Sequence, residues 1–235
     1  MIYSFLISLF TFVIPQSEGF TPYSTVQIAE NLYVDQNEIT VKDWKEFEYY
    51  TLSEEEYTSR SNGNRVNRYQ YQVPYTMVYD HPVQLVSFED ALAYCQWRTE
   101  FTNKNYLADS EYKIVFRLPS IDEFALMVQY EKEALTRKTA DIRYNIEQTI
   151  ALSDTTGFYP HITTRNRKFK RPKGKKKERL YGVFSNAAEM TSTMGIAVGM
   201  SNLNFDPDGD PMVKTNYNIQ SPWVGFRCVA EFVKK

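Results

Sequence analysis

The chain has 235 residues, 27 Lys/Arg against 29 Asp/Glu for a net charge of −2, and 15% aromatic residues, the composition of a globular rather than a disordered chain. A chain of this length forms one domain whose core needs no metal or disulfide to fold. Only two His and two Cys are present, which excludes a three-His metal site, a four-Cys cluster and a two-bridge disulfide scaffold.

Ile2 to Ile14 is an apolar run interrupted by Ser4, Ser8 and Thr11. It is shorter than the about 20 residues a bilayer span takes and fits a secretory h-region. Ser17 and Gly19 place small residues before a cleavage point at Phe20, although no Lys or Arg precedes the run. The alternative is a buried N-terminal strand. The expectation is a signal peptide over residues 1–19, a single domain over 20–235 with no transmembrane helix in the mature chain, and a periplasmic or secreted location.

Thr25 to Val34 reads as a strand, with Val26, Ile28, Leu32 and Val34 apolar. Thr40-Val41-Lys42-Asp43 is a capping box with Asp in place of Glu or Gln, and Val41, Trp44 and Phe47 follow at helical spacing. Ser53 to Asn67 is polar and predicts an exposed loop. Pro82 to Val86 predicts a short extended piece, and Ser87-Phe88-Glu89-Asp90 repeats the cap. Phe88, Ala91, Leu92 and Cys95 then share one helical face, which turns Cys95 toward the core. Tyr112 to Phe116 predicts a strand. Ser120 to Glu123 is a third cap, and Phe124, Met127 and Val128 continue its helix. Beyond Tyr181 come short segments and turns, ending in the apolar run Trp223 to Ala230. Helices early and irregular strands late predict an α+β fold.

Ten Lys/Arg lie between Arg165 and Arg179 with one acid, Glu178; the rest of the chain holds 17 basic and 28 acidic residues, a net charge of −11. The strip includes Lys170, Arg171, Lys173, Lys175, Lys176 and Lys177. Burying ten unpaired cations would cost several kcal/mol each, so residues 165–179 predict an exposed loop. Phe169 is its one aromatic residue, too few for a nucleic-acid stacking platform. The strip suits an acidic protein partner or an anionic envelope surface. Asp206-Pro207-Asp208-Gly209-Asp210 departs from the EF-hand spacing and reads first as a turn. His81 and His161 sit in no nucleophile motif.

Five segments in order resemble the formylglycine-generating-enzyme, or sulfatase-modifying-factor, family. Asn37-Glu38-Ile39-Thr40 with Trp44 and Phe47 is similar to its opening motif. Pro82 to Trp97 is similar to its "P-V-x-x-V-S-W-x-D-A-x-A-Y-C-x-W" segment. Phe116 to Phe124 resembles "Y-R-L-P-T-E-A-E-W", Tyr181 to Met190 resembles "Y-D-M-x-G-N-V-x-E-W", and Gly225-Phe226-Arg227-Cys228 is the terminal "G-F-R-C". The resemblance implies a C-type-lectin-like α+β fold with much irregular loop, and a disulfide between Cys95 and Cys228. It also implies structural Ca²⁺, with Glu189 as a side-chain ligand, Ser185 and Ala187 as backbone ligands, and Asn145 opening a second site. Gly182 stands where the family has an Asn ligand.

The family's enzyme holds copper on two active-site thiolates placed before the terminal motif. Met190 to Arg227 contains no Cys, and the thioethers of Met194, Met200 and Met212 do not replace thiolates. The related sulfoxide synthases use a three-His iron site, which two His cannot supply. No copper and no catalytic residue are therefore expected. The reading is a non-catalytic binding or envelope-assembly module. The alternative is an oxidoreductase-like enzyme of the same superfamily with other chemistry, for which a deep polar pocket under Met194 to Asn204 would speak.

Overall fold

A computed structural model of the chain describes residues 20–61, 65–68, 71–74, 81–134, 179–201, 210–218, 220–221 and 223–235. The elements in order are β1 (Thr25–Ala29), β2 (Leu32–Asp35), α1 (Val41–Thr51), α2 (Glu54–Ser61), β3 (Arg65–Arg68), β4 (Tyr71–Pro74), α3 (Phe88–Tyr106), β5 (Tyr112–Arg117) and α4 (Ile121–Ala134). Short strands follow: β6 (Ser185–Asn186), β7 (Ala188–Met190), β8 (Ile196–Val198), β9 (Met200–Ser201), β10 (Lys214–Asn216), β11 (Val224–Gly225) and β12 (Val229–Lys234). The α+β class is as expected.

One antiparallel sheet has the order β1-β2-β12-β5, and a second has the order β10-β8-β7-β11. The first brings the two ends of the domain together, since β12 pairs with β2 and with the full length of β5. Side chains complete its ladder where strands stop. Asn31 Nδ2 donates to the Phe232 carbonyl at 2.9 Å and its Oδ1 accepts from the Phe232 N–H at 2.9 Å. On the edge strand β5, Asn103 from α3 does the same for Ile114 at 2.7 and 2.9 Å, and Thr99 Oγ1 accepts from Phe116 N–H at 2.8 Å. These bonds clamp α3 to the sheet and occupy groups that would otherwise template aggregation.

The three predicted caps form. Thr40 and Asp43, Ser87 and Asp90, and Ser120 and Glu123 each exchange side-chain and backbone bonds, a device whose loss costs about 1 kcal/mol. Helix α1 buries Val41, Trp44, Lys45 and Glu48, and α3 buries Ala91, Tyr94, Cys95 and Thr102. Their aromatic rings interlock with the terminal motif: Trp44 and Tyr94 stack at 6.0 Å, and Phe226 meets both edge-on. A second core forms around Phe124, Met127 and Val128 of α4, with Val34, Val183, Val198 and Val229.

Two expectations need correction. Thr25 to Val34 is a hairpin rather than one strand, because the chain turns at Glu30-Asn31, where Asn31 takes a left-handed φ of 53° that Asn tolerates. The region expected as a loop from Ser53 to Asn67 contains α2 and β3. Ser53 caps α2 by accepting from Glu56 N–H at 3.3 Å, Glu56 returns to the Ser53 N–H at 3.1 Å, and three Glu residues sit in the first turn, where the helix dipole favours them. The helix lacks an apolar stripe, so its composition read as loop.

Candidate functional site

Three of the motif segments meet in the interior. Glu38 comes from the connection between β2 and α1, Asn186 to Glu189 from β6 and β7, and Arg227 from the connection between β11 and β12. Arg227 and Glu189 are both inaccessible to solvent. Arg227 Nε donates to Glu189 Oε2 and its Nη2 to Glu189 Oε1, each at 2.6 Å. Its other donors reach the Asp35 carbonyl at 3.1 Å and the Tyr181 carbonyl at 2.7 Å. A bidentate carboxylate and two carbonyls thus satisfy the guanidinium, as a buried cation requires.

Glu38 is interior too, but among the described residues no cation contacts it directly. Asn186 Nδ2 donates to its two oxygens at 3.1 and 3.2 Å, and Ala187 N–H donates to Oε1 at 3.3 Å. Burial, reinforced by the Glu189 charge, pushes the Glu38 carboxyl up to about 8, against the pull of Arg227 and the hydrogen bonds. Burial also raises the Glu189 carboxyl, opposed by Arg227. Glu189 has both oxygens on Arg227 and stays charged, so Glu38 holds the proton at neutral pH. The network shapes the backbone around it. Asn186 takes a φ of 129°, a conformation that costs of order 1–3 kcal/mol off glycine and is offset by its bonds to Glu38. Gly182 has a φ of 78°, and a Cβ there would lie 2.5 Å from Glu38 Oε2.

This geometry does not fit the calcium site that the resemblance implied. Arg227 takes both oxygens of Glu189, and Glu38 fills the space beside Gly182; Ala187 donates its N–H to Glu38, a bond that does not involve the carbonyl expected as a ligand. Among the described residues no group of three His, Cys, Asp or Glu side chains could hold a metal. Nothing is described of the Ser185 side chain, and Asn145 lies outside the described residues.

Cys95 and Cys228 are both buried, with their sulfurs 3.4 Å apart. The structure has them as two thiols in contact rather than as a bridge. Burial pushes the Cys228 thiol well up, helped by its contact with Cys95, so it is a poor nucleophile and metal ligand.

Most of the remaining expected positions lie outside the described residues. Residues 165–178 of the basic strip, and with them Lys170, Arg171, Lys173, Lys175, Lys176 and Lys177, lie outside the described residues, as do residues 1–19 and His161. Arg179, at the end of the strip, is anchored: its Nε donates to the buried carboxylate of Glu131 at 2.9 Å. Met194 is 64% exposed and residues 202–209 are outside the described set. Asp210 accepts from Met212 N–H in a turn.

Sequence reasoning did not single out Asp35 and Arg98. Asp35 is buried at the end of β2; its Oδ2 accepts from Arg98 Nη1 at 2.7 Å and from Cys228 N–H at 2.9 Å. Both residues line a cavity of about 460 Å³ between the segment from Phe20 to Ser24 and α3. Their pairing spans 63 residues, and no local motif marks it.

A family model described as the sulfatase-modifying factor enzyme 1-like domain matches residues 8–195. Among solved structures, PvdO from Pseudomonas aeruginosa is 12% identical, with 88% of this chain and 82% of that chain covered at a TM-score of 0.46. CarF is 15% identical, with 85% and 86% covered at a TM-score of 0.43. No curated protein matches the chain. With its motif segments converging on one buried network and four-fifths of its length matched, the chain belongs to the sulfatase-modifying factor enzyme 1-like family.

Proposed function

We propose that the chain is an exported, non-catalytic member of the family that acts as a binding or envelope-assembly module. The carrying observation is the fate of its two thiols. Both cysteines of the chain are buried at 2% and 1% exposure against each other, so no accessible thiolate is left for copper or redox exchange. The carboxylates of the motif segments serve the interior in the same way, since Glu189 neutralises Arg227 and Glu38 orders Asn186 and Ala187. The apolar leader expected over residues 1–19 supports export, and the basic strip supports contact with an acidic protein or an anionic envelope surface.

The test is turnover. Copper-loaded protein incubated with a Cys-containing sulfatase peptide should give no formylglycine by mass spectrometry, and formation of the aldehyde would overturn the reading. The cavity containing Asp35 and Arg98 favours a second reading, an enzyme of the same superfamily with different chemistry. Conversion of any small molecule in a substrate screen, lost in Asp35→Asn, would favour it.

A further inference from the structure

The cavity beside α3 has a composition that selects for one kind of ligand. Its walls are aromatic, with Phe20, Tyr23, Trp97, Phe101 and Tyr106 around it. Among the described residues its charged side chains are Asp35, Glu38, Asp43 and Glu46 against Arg98; cleavage before Phe20 would add that residue's α-ammonium at the wall. Glu38 holds its proton at neutral pH, which leaves three carboxylates against Arg98. Arg98 is already committed to Asp35, to the Tyr23 carbonyl at 3.2 Å and to the face of Phe116 at 4.2 Å.

The polar groups left over are acceptors. Asp35 is 97% buried, and its Oδ1 has no hydrogen-bond partner among the described residues; Asn37 Oδ1, also in the lining, has none either. A buried carboxylate oxygen without a donor costs free energy, and a cation in the cavity offsets it through charge, since Oδ1 itself has no surface open to the cavity. An ammonium group offers donors and no acceptor. It is attracted by aromatic faces, and it balances the residual negative charge. An anion would meet three carboxylates, and a purely apolar ligand would leave their charge unbalanced.

We propose that this cavity binds a small organic ammonium group, presented either by a free alkylamine or by the lysyl side chain of a polypeptide. The proposal goes beyond the module reading above and does not rest on it, since it concerns a site that an enzyme could equally use.

Isothermal titration of the full chain at pH 7 tests it with n-butylammonium and Nα-acetyl-lysine methylamide, against 1-butanol, glucose and propionate. Saturable binding of an ammonium probe, with none of 1-butanol, glucose or propionate, is the expected result. Tighter binding of the lysine derivative identifies a lysyl side chain as the source, and tighter binding of n-butylammonium a free amine. Glu46 and Tyr106 are exposed, so their replacement should leave the fold intact. Glu46→Gln should weaken binding about threefold, the scale of one exposed charge, and Tyr106→Leu about two- to fivefold, the scale of one exposed cation–π contact. Asp35→Asn should lower affinity tenfold or more with an unchanged circular dichroism spectrum. Absence of ammonium binding, equal binding of 1-butanol, preferential binding of glucose, or ammonium affinity unchanged in both Glu46→Gln and Tyr106→Leu would each overturn the proposal.

Discussion

Replacing Glu38 by Gln should make the protein more stable at alkaline pH and flatten its pH–stability profile. In the folded protein the Glu38 carboxyl titrates at about 8, against an ordinary value of 4.5. The folded state therefore holds a proton that the unfolded chain releases between these two values. For a group whose folded pKa is raised, its stabilising share is intact below about pH 4.5 and is lost as pH rises toward 8. The slope across that window is about 1.4 kcal/mol per pH unit, and the integrated loss is on the order of 5 kcal/mol. Glu38 is 1% exposed, so solvent screening does not reduce this figure.

Glutamine keeps an Oε1 that accepts from Asn186 and Ala187, as the Glu38 Oε1 does, and it carries no charge to desolvate. Urea unfolding of parent and Glu38→Gln at pH 5, 7 and 9 gives the difference in stability directly. Glu131, whose pKa burial also raises, titrates in both proteins and largely cancels, whereas Glu189 titrates together with Glu38 through their mutual charge, so the difference reports the pair. The expected outcome is a small difference at pH 5 that grows in favour of the variant by a few kcal/mol at pH 9. A difference constant across the three pH values would refute the assignment of the proton to Glu38.

Three further outcomes follow from the same structure. Oxidation should join Cys95 to Cys228, removing all free thiol in an Ellman assay of unfolded protein and raising the Tm; the bridge would close a 133-residue separation, for which the chain-entropy model gives about 5 kcal/mol, and two titratable thiols after oxidation would count against it. Millimolar Ca²⁺ and a chelator should leave the Tm unchanged within about 1 °C, because linkage raises stability only when the folded state binds and Glu189 is already engaged by Arg227; a concentration-dependent rise would restore calcium. Replacing Lys175, Lys176 and Lys177 together by Gln should barely change thermal stability while weakening binding to anionic vesicles, with a steep salt dependence in the parent; unfolding of the triple variant would show that the strip is structural.

What could be read from the sequence was mostly what the chain decides locally. The three capping boxes each span four residues, and each formed. The turn of Cys95 toward the core followed from helical spacing, although Leu92, read onto the same face of α3, is exposed and Tyr94 is buried instead. What escaped was decided at long range or by shape. Glu189 meets Arg227 across 38 residues, and Glu38 meets Asn186 across 148, separations over which charge patterning carries no signal. Helix α2 escaped for the opposite reason: its stabilisation comes from a Ser53 cap and acidic first turn rather than an apolar stripe. Gly182 was noticed only as a missing ligand, whereas its absent side chain makes room for the Glu38 carboxylate.

The motif residues themselves explain why a family likeness says so little here about chemistry. In the terminal motif, Gly225 lies where a Cβ would come within 3.0 Å of the Val83 carbonyl, Phe226 fills the aromatic core beside Trp44 and Tyr94, Arg227 neutralises Glu189, and Cys228 faces Cys95. In the third segment, Arg117 forms a bidentate pair with Glu123, whose Oε2 also accepts from the Ser120 N–H that opens α4. In the second, Pro82 bridges Thr40 and Val83 N–H donates to the Ile39 carbonyl. Each of these positions has a folding reason of its own, so the motifs report the scaffold rather than an activity. Function has to be sought where the folding reasons run out, and the aromatic, acidic cavity beside Asp35 is such a place: among the described residues no donor reaches Asp35 Oδ1.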